Sequence, residues 1–268
     1  MEYKMIILDL DDTLLLDDGT VSEANKKALI EAQQKGVKVV LASGRPTFAV
    51  NYIADDLELK KYGGYILSYN GSVIIDCKTE KTLYEIDITK DQVIEVYNEA
   101  IKHECFIHTY VDDKILTAHD NPYTYMESEI TGMPINLCSD FVASLPDKCV
   151  KAIMLQDPTH LKEVEQMLKP KMKDKMTMTI TKPFFLEFMN KEVDKSKAII
   201  RLCEILNIDI KDTMAVGDSY NDISMIETVG FGVAMGNAIE EVKNVAKFIT
   251  DTNQNDGVAK VVQKYILS

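Results

Sequence analysis

The stretch Met5-Ile6-Ile7-Leu8-Asp9-Leu10-Asp11-Asp12-Thr13 decides how this chain is read. Four apolar residues in a row suit a strand buried on both faces of a parallel sheet. Where such a strand ends, the next side chains leave the sheet and project into the crevice above it, which is where open α/β sheets bind ligands. Asp9 and Asp11 stand at that point. A lone D-x-D is also what a solvated turn looks like, so its meaning depends on what else the chain brings to the same rim.

Working outward, short apolar strands alternate with amphipathic helices, a pattern that predicts βαβ units and a parallel sheet. Ser22 is placed to cap a helix over 22–34, with Gly36 as its stop. A second strand over 37–41 ends at Ala42-Ser43-Gly44-Arg45, and Pro46 suits the first turn of a helix running towards Leu59. A third strand spans 65–68, followed by the turn pair Asn70-Gly71 and a hairpin-like run over 73–86.

The rhythm then changes. A helix is expected over 89–103, strands over 105–110 and 115–118 around Asp112-Asp113, a strand over 150–155, a helix over 161–168, and strands over 177–180 and 184–188. That is too long and too structured for a loop, so 84–188 is read as an inserted α/β domain with its own core. The alternation resumes with a helix over 195–206 and a strand over 214–216 that ends at Gly217-Asp218. Strands over 232–234 and 248–250, a helix over 239–246 and a last helix to Ile266 follow. The expected fold class is α/β: a Rossmann-like, doubly wound parallel sheet built from 1–83 and 189–268, interrupted by the insertion.

With 268 residues and 46% hydrophobic content, the chain can bury a sizeable core. No stretch approaches ~18 continuous apolar residues, which argues against a membrane span. The start of the chain lacks the basic, apolar and small-residue sections of a signal peptide. Five cysteines, at 77, 105, 138, 149 and 203, show no C-x-x-C spacing, the usage of a reduced cytoplasmic protein. A net charge of −13 repels nucleic acid and anionic membranes. An anionic substrate therefore needs a local positive site from Lys, Arg or a metal. The four histidines have no ligand spacing, and Asp17-Asp18, Asp55-Asp56 and Asp112-Asp113 read as turns and solvated ends.

Four sites fall at strand ends or helix starts of the outer segments: Asp9 with Asp11, Ser43, Lys195, and the run Gly217-Asp218-Ser219-Tyr220-Asn221-Asp222. A doubly wound sheet brings such points to one rim. A carboxylate pair, a hydroxyl, an ammonium and a second carboxylate cluster together suit a hard-oxygen Mg²⁺ site beside a phosphate pocket. Mg²⁺ prefers one or two carboxylates plus waters and a substrate phosphate.

These residues resemble the four motifs of the haloacid dehalogenase superfamily, phosphatase branch. Ala42-Ser43-Gly44-Arg45-Pro46, Tyr69-Asn70-Gly71, the run from Gly232 to Ala238 and Asp256-Gly257-Val258-Ala259 further resemble its Cof-type subfamily, sugar-phosphate and related small-phosphate phosphatases with a large α/β cap of the C2B kind. The resemblance implies that Asp9 is the nucleophile, forming an aspartyl-phosphate. Asp11 is then the general acid and afterwards the general base. It implies Mg²⁺ held by Asp9 and Asp218, with the Asp11 backbone carbonyl free for the metal and Asp222 holding its waters or orienting the shell. Ser43 and Lys195, with the N–H groups of Leu10 and Gly44, would bind the phosphoryl oxygens. Asn221 would donate to one of those oxygens or to Asp9. Arg45 either touches substrate or makes a structural salt bridge.

One departure stands out. The family usually has Lys-Gly at its third motif, whereas this chain has Asp194-Lys195-Ser196-Lys197. Lys197 is thus a second candidate; Lys195 is assigned the role because it aligns with the motif and begins the helix. The function implied is a Mg²⁺-dependent phosphatase of small phosphorylated metabolites, sugar phosphates foremost. The alternatives are a phosphotransferase or mutase using the same intermediate, and a non-catalytic sensor of phosphorylated ligands. The cap is expected to close over the crevice and set specificity, with Lys182, Phe184 and Glu187 as candidate contacts and core packing as the other role for Phe184. Monomer and homodimer both remain open.

Overall fold

The computed structural model describes residues 3–268, which divide into two compact units. One runs to Tyr84 and resumes at Asp194–Ser268; the other is Glu85–Val193.

In the first unit, eight strands among the described residues form one sheet. Met5–Leu8 lies inside it, pairing in parallel with Thr213–Gly217 on one side and Lys38–Ala42 on the other. All four of its residues are buried, which explains why they read as an uninterrupted apolar run. Beyond Thr213–Gly217 lie Phe231–Ala234 and Phe248–Ile249, both parallel. Beyond Lys38–Ala42 lie Tyr65–Ser68, parallel, then Val73–Asp76, antiparallel, and Lys81–Glu85 at the edge. The strand order therefore reverses at Met5–Leu8, and the ends of three neighbouring strands deliver Asp9, Ser43 and Asp218 to the same rim.

Local chemistry accounts for the connections. The Ser22 side chain accepts the Asn25 N–H to cap the helix Glu23–Gln34, and Gly36 beyond it takes φ +92°, where a Cβ would be strained. The single helix expected from Pro46 to Leu59 is instead three short turns: Thr47–Ala49, Asn51–Asp56 and Leu59–Tyr62. Glu58 is left-handed at φ 54°. The Leu57 carbonyl accepts from Gln33 Nε2 at 2.9 Å, replacing the bond a continuing helix would give it.

The second unit carries a six-stranded sheet among the described residues. Its order is Met176–Lys182, Phe185–Asn190, Lys151–Leu155, Phe106–Val111, Lys114–Thr117 and Ile135–Leu137. All neighbours are antiparallel except the last pair. Val93 and Val96 of the helix Lys90–Lys102, and Leu161, Val164 and Leu168 of the helix Pro158–Met172, share a core with Ala152, Met154, Leu186 and Phe188. The unit ends at Val193, beyond position 188, because the strand runs on to Asn190, whose Nδ2 donates to the Asp87 carbonyl at 2.8 Å. The sequence pattern predicts no element between 119 and 149. The structure has the helices Pro122–Thr131 and Phe141–Ser144 and the strand Ile135–Leu137 there. No helix among the described residues is long and apolar enough to cross a membrane.

Candidate active site

Asp9 is fastened to the sheet by its N–H, which donates to the Val216 carbonyl at 3.0 Å. The chain then coils tightly. The Leu15 N–H returns to the Leu10 carbonyl at 2.9 Å, Asp12 is left-handed at φ 58°, and Leu15 pairs with Val21 across the next turn. Two asparagines distant in sequence clasp this coil. Asn237 Nδ2 donates to the Asp12 carbonyl at 2.7 Å, and Asn253 Nδ2 donates to the Leu15 carbonyl at 3.0 Å. The Asn253 N–H in turn donates to Asn237 Oδ1 at 3.0 Å. Asn237 lies in the run from Gly232 to Ala238, and its sequence position does not disclose this bond.

Ser43 is buried, and its N–H donates to the Leu67 carbonyl at 2.9 Å. On the other side, Gly217 leads into Asp218. A Cβ on Gly217 would lie 2.7 Å from Asp222 side-chain atoms, so glycine makes room for that carboxylate. Asp222 Oδ2 accepts the N–H groups of Asp218 (3.0 Å) and Ser219 (3.1 Å). Lys195 opens the helix Lys195–Leu206, whose cap is Asp194: its carboxylate accepts the N–H groups of Ser196 (2.7 Å) and Lys197 (3.3 Å). The Ser196 and Ser224 hydroxyls also donate to Asp194. The serine that departs from the family pattern is thus absorbed by the cap.

These elements bring four charged side chains together. Lys195 Nζ donates to Asp9 Oδ1 at 2.5 Å and to Asp222 Oδ1 at 2.7 Å, and all three residues are buried. Asp218, also buried, accepts from Thr13 Oγ1 at 2.7 Å. Thr13 belongs to the first motif, but its bond to Asp218 spans 205 positions and is invisible in sequence. Lys197 is exposed, so the lysine at the carboxylates is Lys195.

Burial drives the Asp9 carboxyl well above the ordinary carboxylate range; Asp222 and Asp218 add to the shift and Lys195 opposes it. Burial also lifts Asp218 to about 6, against the Thr13 hydrogen bond and with Asp222 adding to it. For Lys195 burial works against the charge, but Asp9 and Asp222 outweigh it and hold the ammonium above its usual range. Three carboxylates against one ammonium leave an excess of negative charge that a cation would relieve.

The residues fit a hard divalent cation. One oxygen each from Asp9, Asp218 and Asp222 lies within 4.8 Å of the others. Both Asp222 oxygens are engaged, by Lys195 and by two N–H groups. Asp9 and Asp218 each have one oxygen engaged, which leaves one to offer. The Asp11 carboxylate is outside the cluster; it pairs with Arg45 through Nη2 (2.5 Å) and Nε (3.0 Å). Asn221 Nδ2 donates to Asn70 Oδ1 at 3.2 Å. Of the candidate cap contacts, Glu187 pairs with Lys151 at 2.7 Å. Phe184 stacks on Tyr123 with ring centroids 6.0 Å apart. Lys182 ends the strand Met176–Lys182.

Comparison with known proteins agrees with this geometry. A sequence profile of the haloacid dehalogenase-like hydrolases matches residues 6–262. A haloacid dehalogenase-like hydrolase from Bacteroides thetaiotaomicron is 36% identical, with 98% of this chain and 99% of that chain covered and a TM-score of 0.93. The 5-amino-6-(5-phospho-D-ribitylamino)uracil phosphatase YcsE of Bacillus subtilis is 30% identical over 100% of this chain and 97% of its own length. A subclass IIB sugar phosphatase of the same superfamily, 23% identical, matches in fold with a TM-score of 0.81 over 98% of each chain.

Proposed function

The chain belongs to the haloacid dehalogenase-like hydrolases and is a phosphatase of the Cof type, and from that premise we propose that it removes phosphate from small phosphorylated metabolites, sugar or polyol phosphates, through an aspartyl-phosphate on Asp9 with Mg²⁺ as cofactor. The observation that carries this reading is the Lys195 ammonium bonded to Asp9 and Asp222, with Asp218 in the same buried cluster. The substrate class draws on the Bacillus subtilis relative, whose named substrate carries its phosphate on a ribityl chain.

Asp9 and Asp218, with the Asp11 backbone carbonyl, would hold Mg²⁺; Asp222 would orient them. When bound, Mg²⁺ supplies positive charge to the phosphoryl oxygens and to the attacking carboxylate. A carboxylate oxygen of Asp9 attacks phosphorus, and the bond to the leaving oxygen breaks as Asp11 delivers a proton to it. Asp11 then takes a proton from water, whose oxygen attacks the same phosphorus, freeing inorganic phosphate and restoring Asp9. The Ser43 hydroxyl, the N–H groups of Leu10 and Gly44 and the Lys195 ammonium hold the phosphoryl oxygens, and Asn221 adds a donor. The five cysteines are unpaired, which supports a reducing, cytoplasmic setting.

The test is p-nitrophenyl phosphate hydrolysis. Asp9→Asn should lower kcat by at least about 10³-fold, and chelation should abolish activity that added Mg²⁺ restores. A variant with the wild-type rate would remove Asp9 as nucleophile. Release of free phosphate, rather than its transfer to added sugar, separates hydrolase from phosphotransferase.

A further inference from the structure

Asp11 is held in a manner that its role as proton donor does not call for. Both of its carboxylate oxygens accept from one guanidinium, Arg45 Nη2 on Oδ1 and Nε on Oδ2. This side-on arrangement is the one in which arginine grips a carboxylate most firmly. The remaining arm, Nη1, donates to Tyr52 Oη at 3.3 Å, and the Tyr52 hydroxyl donates to the Gly19 carbonyl at 3.3 Å. Gly19 lies in the turn between Leu15 and Val21, and Tyr52 lies on the helix Asn51–Asp56. The Asp11 side chain is 59% exposed and Tyr52 is 52% exposed, so core packing does not force either into place.

A carboxyl that protonates a leaving alcohol needs one oxygen free to face it. Here each oxygen already accepts a bond from Arg45. Arg45 also shares a turn with the phosphate-binding hydroxyl, since its N–H donates to Ser43 Oγ at 3.1 Å. We propose that Tyr52 is a positioning residue: by gripping Arg45 it parks Asp11 while the site lacks substrate, and a phosphoryl group arriving at Ser43 opens the pair by drawing the guanidinium to itself. This rests on the phosphatase reading above. It assigns Arg45 two partners in turn, Asp11 at rest and the phosphoryl oxygens in the complex. Part of the binding energy is spent on opening, so the apparent affinity is lowered by the fraction of molecules already open.

Tyr52→Phe keeps the ring on a half-exposed surface and deletes only the hydroxyl. The closed fraction then falls. KM for p-nitrophenyl phosphate and the dissociation constant of inorganic phosphate, measured calorimetrically, should both decrease by about two- to tenfold. kcat should stay within about twofold, because Asp11 itself is unchanged. A merely structural tyrosine would lower Tm, or raise KM, or change nothing. Phosphate binding that is unchanged or weaker in the variant overturns the latch, as does a fall in kcat at constant KM. The two readings fail separately: a wild-type protein that releases no phosphate from p-nitrophenyl phosphate sinks the proposed function, while the phosphate titration still reads the latch.

Discussion

Lys195 in the first unit and Lys151 in the second are both almost fully buried, at 1% and 2% exposure, and both sit against carboxylates. Lys195 stands at the rim where parallel strands end, facing Asp9, Asp218 and Asp222. Lys151 is on an interior strand of the second unit's sheet, between two antiparallel neighbours. Its Nζ donates to Glu187 and lies 5.4 Å from the centre of the Tyr110 ring, and Tyr110 donates to Glu127. Burial lifts the Glu127 carboxyl despite Lys151 and that hydrogen bond. The second cluster sets two carboxyls, Glu187 and Glu127, around its lysine, whereas the first sets three around Lys195 with oxygens close enough to share a divalent cation. A buried ion pair alone does not mark a site; a buried lysine among three carboxylates at the ends of parallel strands makes a candidate.

Paired substitutions test that contrast most severely. Lys195→Met should lower kcat by about 10³-fold or more, since it removes charge from the phosphoryl oxygens. Lys151→Met should leave kcat of the folded protein within about threefold but cost about 3–5 kcal/mol of stability, read by urea unfolding, because Glu187 is stranded in the interior. Changing Glu187 to Leu as well should recover most of that loss. The comparison breaks if Lys151→Met loses turnover at unchanged stability.

A smaller effect comes from His108 in the second cluster. Burial, helped by Lys151, pushes its imidazole down to about 3. Nδ1 lies 3.3 Å from Thr124 Oγ1 and Nε2 is buried with no hydrogen-bond partner, so a second ring proton would have no acceptor. The unfolded chain takes up a proton near pH 6.5 and the folded one does not. Stability therefore falls as pH drops through 6.5 and continues to fall towards 3. At pH 5 the loss relative to neutral pH should be roughly 2 kcal/mol. Comparing the pH 7 to pH 5 change in unfolding free energy between wild type and His108→Phe isolates it. Equal slopes would mean that His108 is protonated in the fold.

The two units also differ in how far sequence reveals them. In the first, the apolar runs, the Ser22 cap and the motif residues at strand ends place the sheet and collect Asp9, Ser43, Lys195 and Asp218. What stays hidden there is long-range: Thr13 on Asp218, Asn237 on Asp12, Tyr52 on Arg45. In the second unit the helix Pro122–Thr131 escapes because its pattern is inverted. It buries Thr124, Glu127 and Thr131 and exposes Tyr125, Met126 and Ile130. The reason lies beneath it, where Thr124 meets His108 and Glu127 meets Tyr110. A helix packed on a polar network needs polar residues inward, so a search for an apolar stripe passes over it.

The end signals of that helix were nonetheless present in Asn121, Pro122 and Gly132, and they give the smallest effect. Asn121 Oδ1 accepts the Thr124 N–H at 2.9 Å, while Nδ2 donates to the His119 carbonyl and to Thr124 Oγ1 at 2.9 Å each. Asn121→Ala should cost about 1–2 kcal/mol, speed amide exchange over 122–131, and leave kcat unchanged. Asp194 caps the Lys195 helix with the same kind of bond. Asp194→Ala should cost a similar amount of stability, but it should also lower kcat, because the turn it secures carries the lysine that Asp9 and Asp222 need. If the two cap variants lose stability equally and neither loses activity, Lys195 is held by its carboxylates alone, and the rim is stiffer than its hydrogen bonds imply.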